Sequence, residues 1–469
     1  MLSGLKIRWA PFSAILCIAS ACWWFVEPPS GLGVTGYHTA IIFIAMMSGL
    51  MLEVCDSLAT LFMGLIFANL TSTMDVKSSF TGFANTIPWL LFCVLSISSV
   101  ITKSSLGLRI AYLFMKLFGK NLTGISYSII LTEFLIAPAM PSSTARAASI
   151  GFPLVTSIAR YVSESIKGIS EKRIGSYMII LYSACSAICS ATFATGMVSN
   201  ALILDIMANA NLGITWITWF KFTVLPCVIL LLLLPFVVRF TCNPKVRDLS
   251  VIQKQAVANY ASLGAITDRE KFIIAVFGLM LSMWVFSDSI GVPIMITTLI
   301  GISIFLVTGI VTPKDILSCS STFNSVITLG ILISFVNNLI GSGVIDWFTG
   351  TITGVVDGLG KWPSFSVLAI IYFFSHYFFS GESSRIVALY ASFLVTGFGL
   401  GIDKIAVAMT LAVFSSMSNV LTHYTSPVSV LMFSSGYIST KRWASCGLVL
   451  AAFIMAIWLS FIVVTATTL

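Results

Sequence analysis

The sequence predicts an all-α polytopic membrane protein: about eleven transmembrane helices plus two re-entrant hairpins, arranged in inverted repeats. Three observations predict it. The 469 residues are 58% apolar and only 9% charged, with a mean hydropathy of +1.02, which no soluble domain tolerates. Apolar stretches of spanning length recur along the whole chain. Two further stretches are too long for one span and are interrupted mid-course by polar and Pro/Gly residues.

The spans fall near 10–26, 38–52, 57–72, 86–102, 176–209, 217–239, 271–288, 293–311, 323–340, 402–431 and 443–467. Some are short enough to need neighbouring helices or a thinned bilayer. The first follows basic Lys6 and Arg8 and ends in Trp23-Trp24-Phe25, an interfacial aromatic anchor rather than a small-residue cleavage site. It therefore reads as an uncleaved span with a cytoplasmic N-terminus. No hydrophilic transit peptide precedes it, which points to a bacterial inner membrane. The long stretches 124–160 and 363–397 leave no room for an aqueous loop at their breaks. Re-entrant hairpins fit, because backbone leaves helical geometry at membrane depth only where it is buried in protein or lines a cavity.

Charge supports this layout. Basic residues gather in the loops predicted inside, including Lys103, Arg109, Lys116, Lys120, Arg160, Lys167, Lys172, Arg173, Arg239, Lys245, Arg247, Lys254, Arg269 and Lys271, whereas the outer side has Lys77, Lys361 and Lys404, with Lys221 near it. An odd number of spans separates the hairpins, so one enters from inside and the other from outside. The expected organisation is an N-terminal helix and turn (1–37), a first repeat with an inward hairpin (38–239), a cytoplasmic connector (240–270) and a second repeat with an outward hairpin (271–469).

Composition also excludes. The net charge of +8 lies in short loops between apolar runs, which argues against nucleic acid as a partner. Ten cysteines are scattered without a CxxC, and there are three histidines, so neither a metal site nor a disulfide framework is indicated. Gly31-Leu32-Gly33-Val34-Thr35-Gly36 matches a dinucleotide fingerprint by letter, but no strand precedes it.

The informative residues sit at the breaks. Arg146 closes the run Pro141-Ser142-Ser143-Thr144-Ala145-Arg146, and Arg385 closes Ser380-Gly381-Glu382-Ser383-Ser384-Arg385, an offset of 385 − 146 = 239. The same offset carries Asn85-Thr86 onto Asn324-Ser325. Pro138 and Pro141 forbid a continuous helix, so Ser142, Ser143 and Thr144 stand where the returning helix needs its cap. A helix N-terminus at that depth favours a carboxylate, and an arginine adds a two-pronged fork. The two arginines thus read as a pair of claws for one anionic solute. The alternative is that they cap backbone carbonyls within the hairpins. Glu382 either neutralises Arg385, titrates, or binds a cation. His423 either touches solute or is a satisfied core residue.

Two spans are also broken, one at Thr192–Asn200 and one at Ser415–Pro427. Discontinuous helices at corresponding places in inverted repeats point to a transport site. Carbonyls at Thr195, Gly196, Ser199 and Asn200, and at Ser418 and Asn419, either bind Na⁺ as a coupling ion or mark packing faults filled by hydroxyls. No other cofactor is indicated.

The chain resembles the divalent anion:sodium symporter family, in the branch of citrate/succinate antiporters and plastid 2-oxoglutarate/malate translocators. Ala137–Arg146 matches that branch's Ala-Pro-x-x-Pro-Ser-Asn-Thr-Ala-Arg, and His376–Arg385 matches its second hairpin motif. Ser190–Phe193, Leu421–Tyr424 and Gly436–Lys441 follow in order. The resemblance implies a homodimeric elevator: a scaffold of early spans in each repeat, and a moving domain of hairpins and broken helices. From the tips and the second break, Ser142, Ser143, Thr144, Arg146, Glu382, Ser383, Ser384, Arg385, Thr422 and His423 are the residues expected to bind a small carboxylate anion. The sequence departs from the family pattern at Ser143, where the family has Asn, and at Glu382 and Arg385.

The expected function is therefore secondary transport of a di- or tricarboxylate in the succinate, malate, 2-oxoglutarate, citrate or tartrate class, by exchange. Na⁺-coupled symport is the alternative. An intramembrane enzyme would need a nucleophile with its base, or metal ligands, and no HExxH is present. Exchange is expected because two guanidinium groups would neutralise a bound dianion and leave the empty site too charged to cross.

Overall fold

The computed structural model describes residues 7–166, 168–244, 246, 248–317, 320–356, 360–379 and 381–468; Lys6, Lys167, Lys245, Arg247 and Ser380 lie outside them. The described residues are helical throughout their ordered elements, with one isolated β-bridge, Asn121 to Asp248. Among the described residues, six helices are long and apolar enough to cross a membrane: Val34–Met51, Thr86–Lys103, Glu171–Thr192, Trp216–Thr241, Thr322–Gly341 and Thr440–Thr465. Each coincides with a predicted span. The protein is an all-α polytopic membrane protein.

The chain divides into two compact units. One comprises Met1–Phe92 and Cys319–Leu411. Its early helices, Trp9–Phe25, Val34–Met51 and Ser57–Leu70, pack in sequence, and Ser320–Gly341 lies against the 3₁₀ turn Thr81–Ala84. There the Ser334 hydroxyl accepts from Gly82 N at 2.8 Å, satisfying a buried donor that the turn leaves open. This unit also holds the second predicted hairpin: Lys361–Phe374, a 3₁₀ turn Ser375–Phe378, the single turn Glu382–Arg385, a π-turn Ile386–Tyr390 and Ala391–Gly399.

The other unit comprises Cys93–Ser318 and Ala412–Leu469. Its centre is Glu171–Thr192, whose most apolar window is wholly buried. It packs against Leu122–Ile136, Phe152–Ser165, Trp216–Thr241 and Pro427–Ser434. Being buried all round, the helix carries hydroxyls that must find partners inside the protein. The first predicted hairpin lies here, as Leu122–Ile136, a break, the single turn Ser143–Arg146, a π-turn Ala147–Gly151 and Phe152–Ser165.

The segment expected as a polar connector contains a helix, Ser250–Ser262, which packs on Leu106–Phe118. Ile252 and Ala256 are buried against it. Arg109 fixes its far end: the guanidinium donates to the Leu263, Gly264 and Ala265 carbonyls and pairs with Glu270 at 3.4 Å. Those carbonyls belong to the C-cap, Leu263, and to the two residues that follow it.

Candidate functional site

At the first hairpin, Ser142 is the N-cap: its hydroxyl accepts from Ala145 N at 3.2 Å. Arg146, four residues on, is completely buried. Its Nε donates to Glu133 Oε1 at 2.7 Å, its Nη1 to the carbonyls of Met140 at 2.5 Å and Gly196 at 2.8 Å, and its Nη2 to Ser190 Oγ at 2.8 Å. Arg146 therefore ties four things together: the descending helix, the tip of its own hairpin, the break at Gly196 and the central buried helix.

Glu133 is the residue that sequence reasoning missed. Its carboxylate also accepts from Tyr182 Oη at 2.9 Å and Ser186 Oγ at 3.1 Å. A buried carboxylate with two hydroxyl partners and a cation is stable, whereas either charge alone is costly. The signal was present in the sequence: Glu133 is an acidic residue inside an otherwise apolar stretch, and an intramembrane ionisable residue needs a partner. The pair also alters one expectation. Arg146 is neutralised by the protein itself, so its positive charge is compensated within the hairpin.

The helix break at Thr192–Val198 is built around the same pin. Gly196 sits so close that an added Cβ would lie 2.6 Å from Ser190 O, and it offers its carbonyl to Arg146. Thr195 Oγ1 donates to Pro138 O at 3.1 Å and accepts from Trp216 Nε1 at 3.1 Å. Asn200 Nδ2 bridges the carbonyls of Ser190 and Phe193, each at 2.9 Å. Ser199 is buried beside it.

Facing these is the second break of the same unit. Ser418 Oγ donates to Ser415 O at 3.3 Å, and Ser429 Oγ to Asn419 O at 3.3 Å. The Thr422 and Thr425 hydroxyls bond to each other. His423 is half-buried, its ring 4.3 Å from that of Phe433.

Between the two breaks and the hairpin tip lies a small polar cavity, leaving about 10 Å³ for the centre of a water-sized sphere. It is lined by Ser143 from the tip, by Ser183, Ser186 and Ser190 from the central helix, and by Asn419, Ser426 and Ser429 from the second break. That volume holds about one water. The Ser183 hydroxyl is buried and has no hydrogen-bond partner among the described residues. The cavity offers several hydroxyl donors and no ionised side chain of its own, which suits oxygen atoms of an anion.

Of the predicted residues, Ser143 and Asn419 reach the cavity. Ser142 and Arg146 sit behind it, and Thr144 is exposed. The second hairpin belongs to the other unit. There Arg385 is completely buried, donates from Nη1 to Tyr372 O at 3.1 Å and lies over the Tyr372 ring with its Cζ 4.9 Å from the centroid. Ser384 Oγ donates to Gly381 O at 2.7 Å, and Glu382 and Ser383 are half-buried.

A polytopic helical protein with broken spans and an interrupted hairpin around a buried polar cavity has the construction of a secondary transporter. Residues 6–469 match the family described as "Sodium:sulfate symporter transmembrane region", and the chain belongs to that family, the one its motifs resemble. It is similar to chloroplastic dicarboxylate transporter 1 of Arabidopsis thaliana, with 31% identity over 93% of this chain and 79% of the relative. It is also similar to the citrate/succinate antiporter of Escherichia coli K12, with 26% identity over 90% of this chain and 91% of the relative. The solved structure of Neisseria gonorrhoeae MtrF covers 98% of this chain and 94% of its own at a TM-score of 0.57 and 15% identity, a likeness of fold.

Proposed function

We propose that the protein is a secondary transporter of di- and tricarboxylates that works by exchange. The observation that carries this reading is the family match over residues 6–469, and the small hydroxyl-lined cavity where the hairpin tip and two helix breaks of one unit meet supports it as the place of first contact. Relatives named as a dicarboxylate transporter and a citrate/succinate antiporter support both the solute class and the mode. Ser143, Ser183, Ser190, Asn419 and Ser426 are the proposed first contacts for solute oxygens in this unit, with Ser142 holding the tip in shape. At the other hairpin, Glu382, Ser383, Ser384 and Arg385 are proposed as solute contacts, and Thr422 and His423 complete the set.

Several oxygens around the first break are already engaged, although Asn200 Oδ1 is buried with no hydrogen-bond partner among the described residues. A hard cation needs several carbonyl or carboxylate oxygens turned towards it. Here the carbonyls of Met140 and Gly196 receive Arg146, those of Ser190 and Phe193 receive Asn200, and that of Pro138 receives Thr195. These hydrogen bonds leave fewer oxygens for a coupling cation, which supports exchange without Na⁺. The second reading, Na⁺-coupled symport, rests on the description of the family itself.

The 239-residue offset supports two structural repeats, and we propose that they are inverted, with the N-terminus and the 240–270 connector cytoplasmic. An elevator movement, a homodimer and residence in a bacterial inner membrane complete the proposal. Counterflow in proteoliposomes loaded with labelled succinate tests the function. Unlabelled malate, 2-oxoglutarate, citrate and tartrate outside should accelerate its exit; indifference to every one of these acids would refute carboxylate transport.

A further inference from the structure

One close approach of reactive side chains lies away from the cavity. Cys242 caps the end of Trp216–Thr241, and Cys446 lies in the second turn of the carboxy-terminal helix Thr440–Thr468. Their sulfurs are 3.3 Å apart although 204 positions separate them along the chain. Both are thiols, each 2% exposed. By contrast, Cys185 and Cys189 lie four apart on one helix with sulfurs 3.8 Å apart, so joining them would fasten nothing new.

The surroundings of Cys242 favour its thiolate. The hydrogen bond from Cys446 and the positive charge of Arg442 hold the Cys242 thiol below the ordinary range, against the opposing effect of burial. An S–S bond is about 2.05 Å long, so closure needs an approach of little more than about 1 Å. Burial restricts attack to small oxidants. Phe240 and Arg442, which flank the pair, are exposed, so the pair lies close to the surface.

We propose that Cys242 and Cys446 form a redox-responsive dithiol that a hydroperoxide closes to a disulfide, fastening the end of Trp216–Thr241 to the carboxy-terminal helix. The Cys242 thiolate attacks one peroxide oxygen and the O–O bond breaks. The departing oxyanion takes up the proton that Cys242 released, leaving as water or an alcohol. Cys242 is then a sulfenic acid. The Cys446 sulfur attacks it, the S–S bond forms, the S–O bond breaks, and the hydroxide leaves with the Cys446 proton as a second water. Two thiols have lost two electrons, and one hydroperoxide has gained them.

A disulfide that closes so long a loop restricts the unfolded chain strongly, so it should raise the unfolding temperature. The test uses the full-length protein in lipid vesicles exposed to hydrogen peroxide, then digested without reductant and mapped by mass spectrometry. The expected result is a Cys242–Cys446 linked peptide, lost on dithiothreitol, together with a Tm raised by several degrees. Neither change should occur in Cys446→Ser or Cys242→Ala. Both cysteines remaining alkylatable in the wild-type protein after peroxide treatment, or a Tm rise that persists in Cys446→Ser, would overturn the proposal. The wild-type peptide map needs no variant to fold.

Discussion

At the first hairpin Arg146 pairs with Glu133, thirteen residues upstream, and at the second Arg385 meets Tyr372, also thirteen upstream. The two partners stand at the repeat offset, 372 − 133 = 239. The single turns Ser143–Arg146 and Glu382–Arg385 keep the same offset, as do the π-turns Ala147–Gly151 and Ile386–Tyr390. One local design therefore occurs twice with different electrostatics. The first buries a cation against an anion and three backbone or hydroxyl acceptors. The second buries a cation against a carbonyl and an aromatic face. An ion pair is internally neutral and tolerates the loss of neither partner, whereas a ring face leaves the charge in place. The first hairpin reads as a joint locked by an ion pair, and the second as one whose arginine is held in part by a carbonyl and a ring.

The harshest way to break this comparison is Glu133→Gln. It leaves Arg146 buried without its anion, and the cost should be about 3–5 kcal/mol, read as lost thermal stability or lost folded protein. Adding Arg146→Gln should recover part of it. A single Glu133→Gln variant as stable as wild type would remove the distinction between the hairpins.

Gly151→Ala probes how the carboxylate is held. Its Cβ would lie 2.1 Å from Tyr182 Cζ, so the ring must shift and its hydrogen bond to Glu133 must weaken. Overpacking of this kind costs about 1–3 kcal/mol. The same position in the second hairpin already carries a large side chain, Tyr390, which turns away to donate to Ala408 O at 2.8 Å. An unchanged unfolding temperature for Gly151→Ala would mean that Tyr182 does not depend on that glycine.

Tyr372→Leu should be milder, about 1–2 kcal/mol from the lost cation–π contact, with transport affinity changed more than stability. Should it prove as damaging as Glu133→Gln, the ring would be as essential to its arginine as the carboxylate is. Smallest of all is Ser142→Ala, which removes a helix cap worth about 1 kcal/mol. It should lower the unfolding temperature slightly and raise KM, by loosening the tip that carries Ser143.

Much of this was legible in the chain. Pro138 and Pro141 announced the first break, and the equal spacing of Arg146 and Arg385 announced the repetition. What was not legible was what the arginines touch. Glu133 was visible as a lone acid, but its partner lies thirteen residues on, past a break whose geometry no helical periodicity describes. The serines of Glu171–Thr192 look like unremarkable small residues, because only burial on every side makes Ser183, Ser186 and Ser190 significant. The π-turns have no residue signature at all. Cys242 and Cys446 are single scattered cysteines until folding brings them together.

The proposed carrier exchanges one carboxylate for another without a coupling cation. The most direct measurement is uptake of a labelled dicarboxylate into proteoliposomes, preloaded or empty, with and without an inward Na⁺ gradient. An exchanger gives strong uptake into preloaded vesicles, equal in the presence and absence of Na⁺, and little into empty ones. Strong uptake into empty vesicles driven by the Na⁺ gradient would contradict exchange.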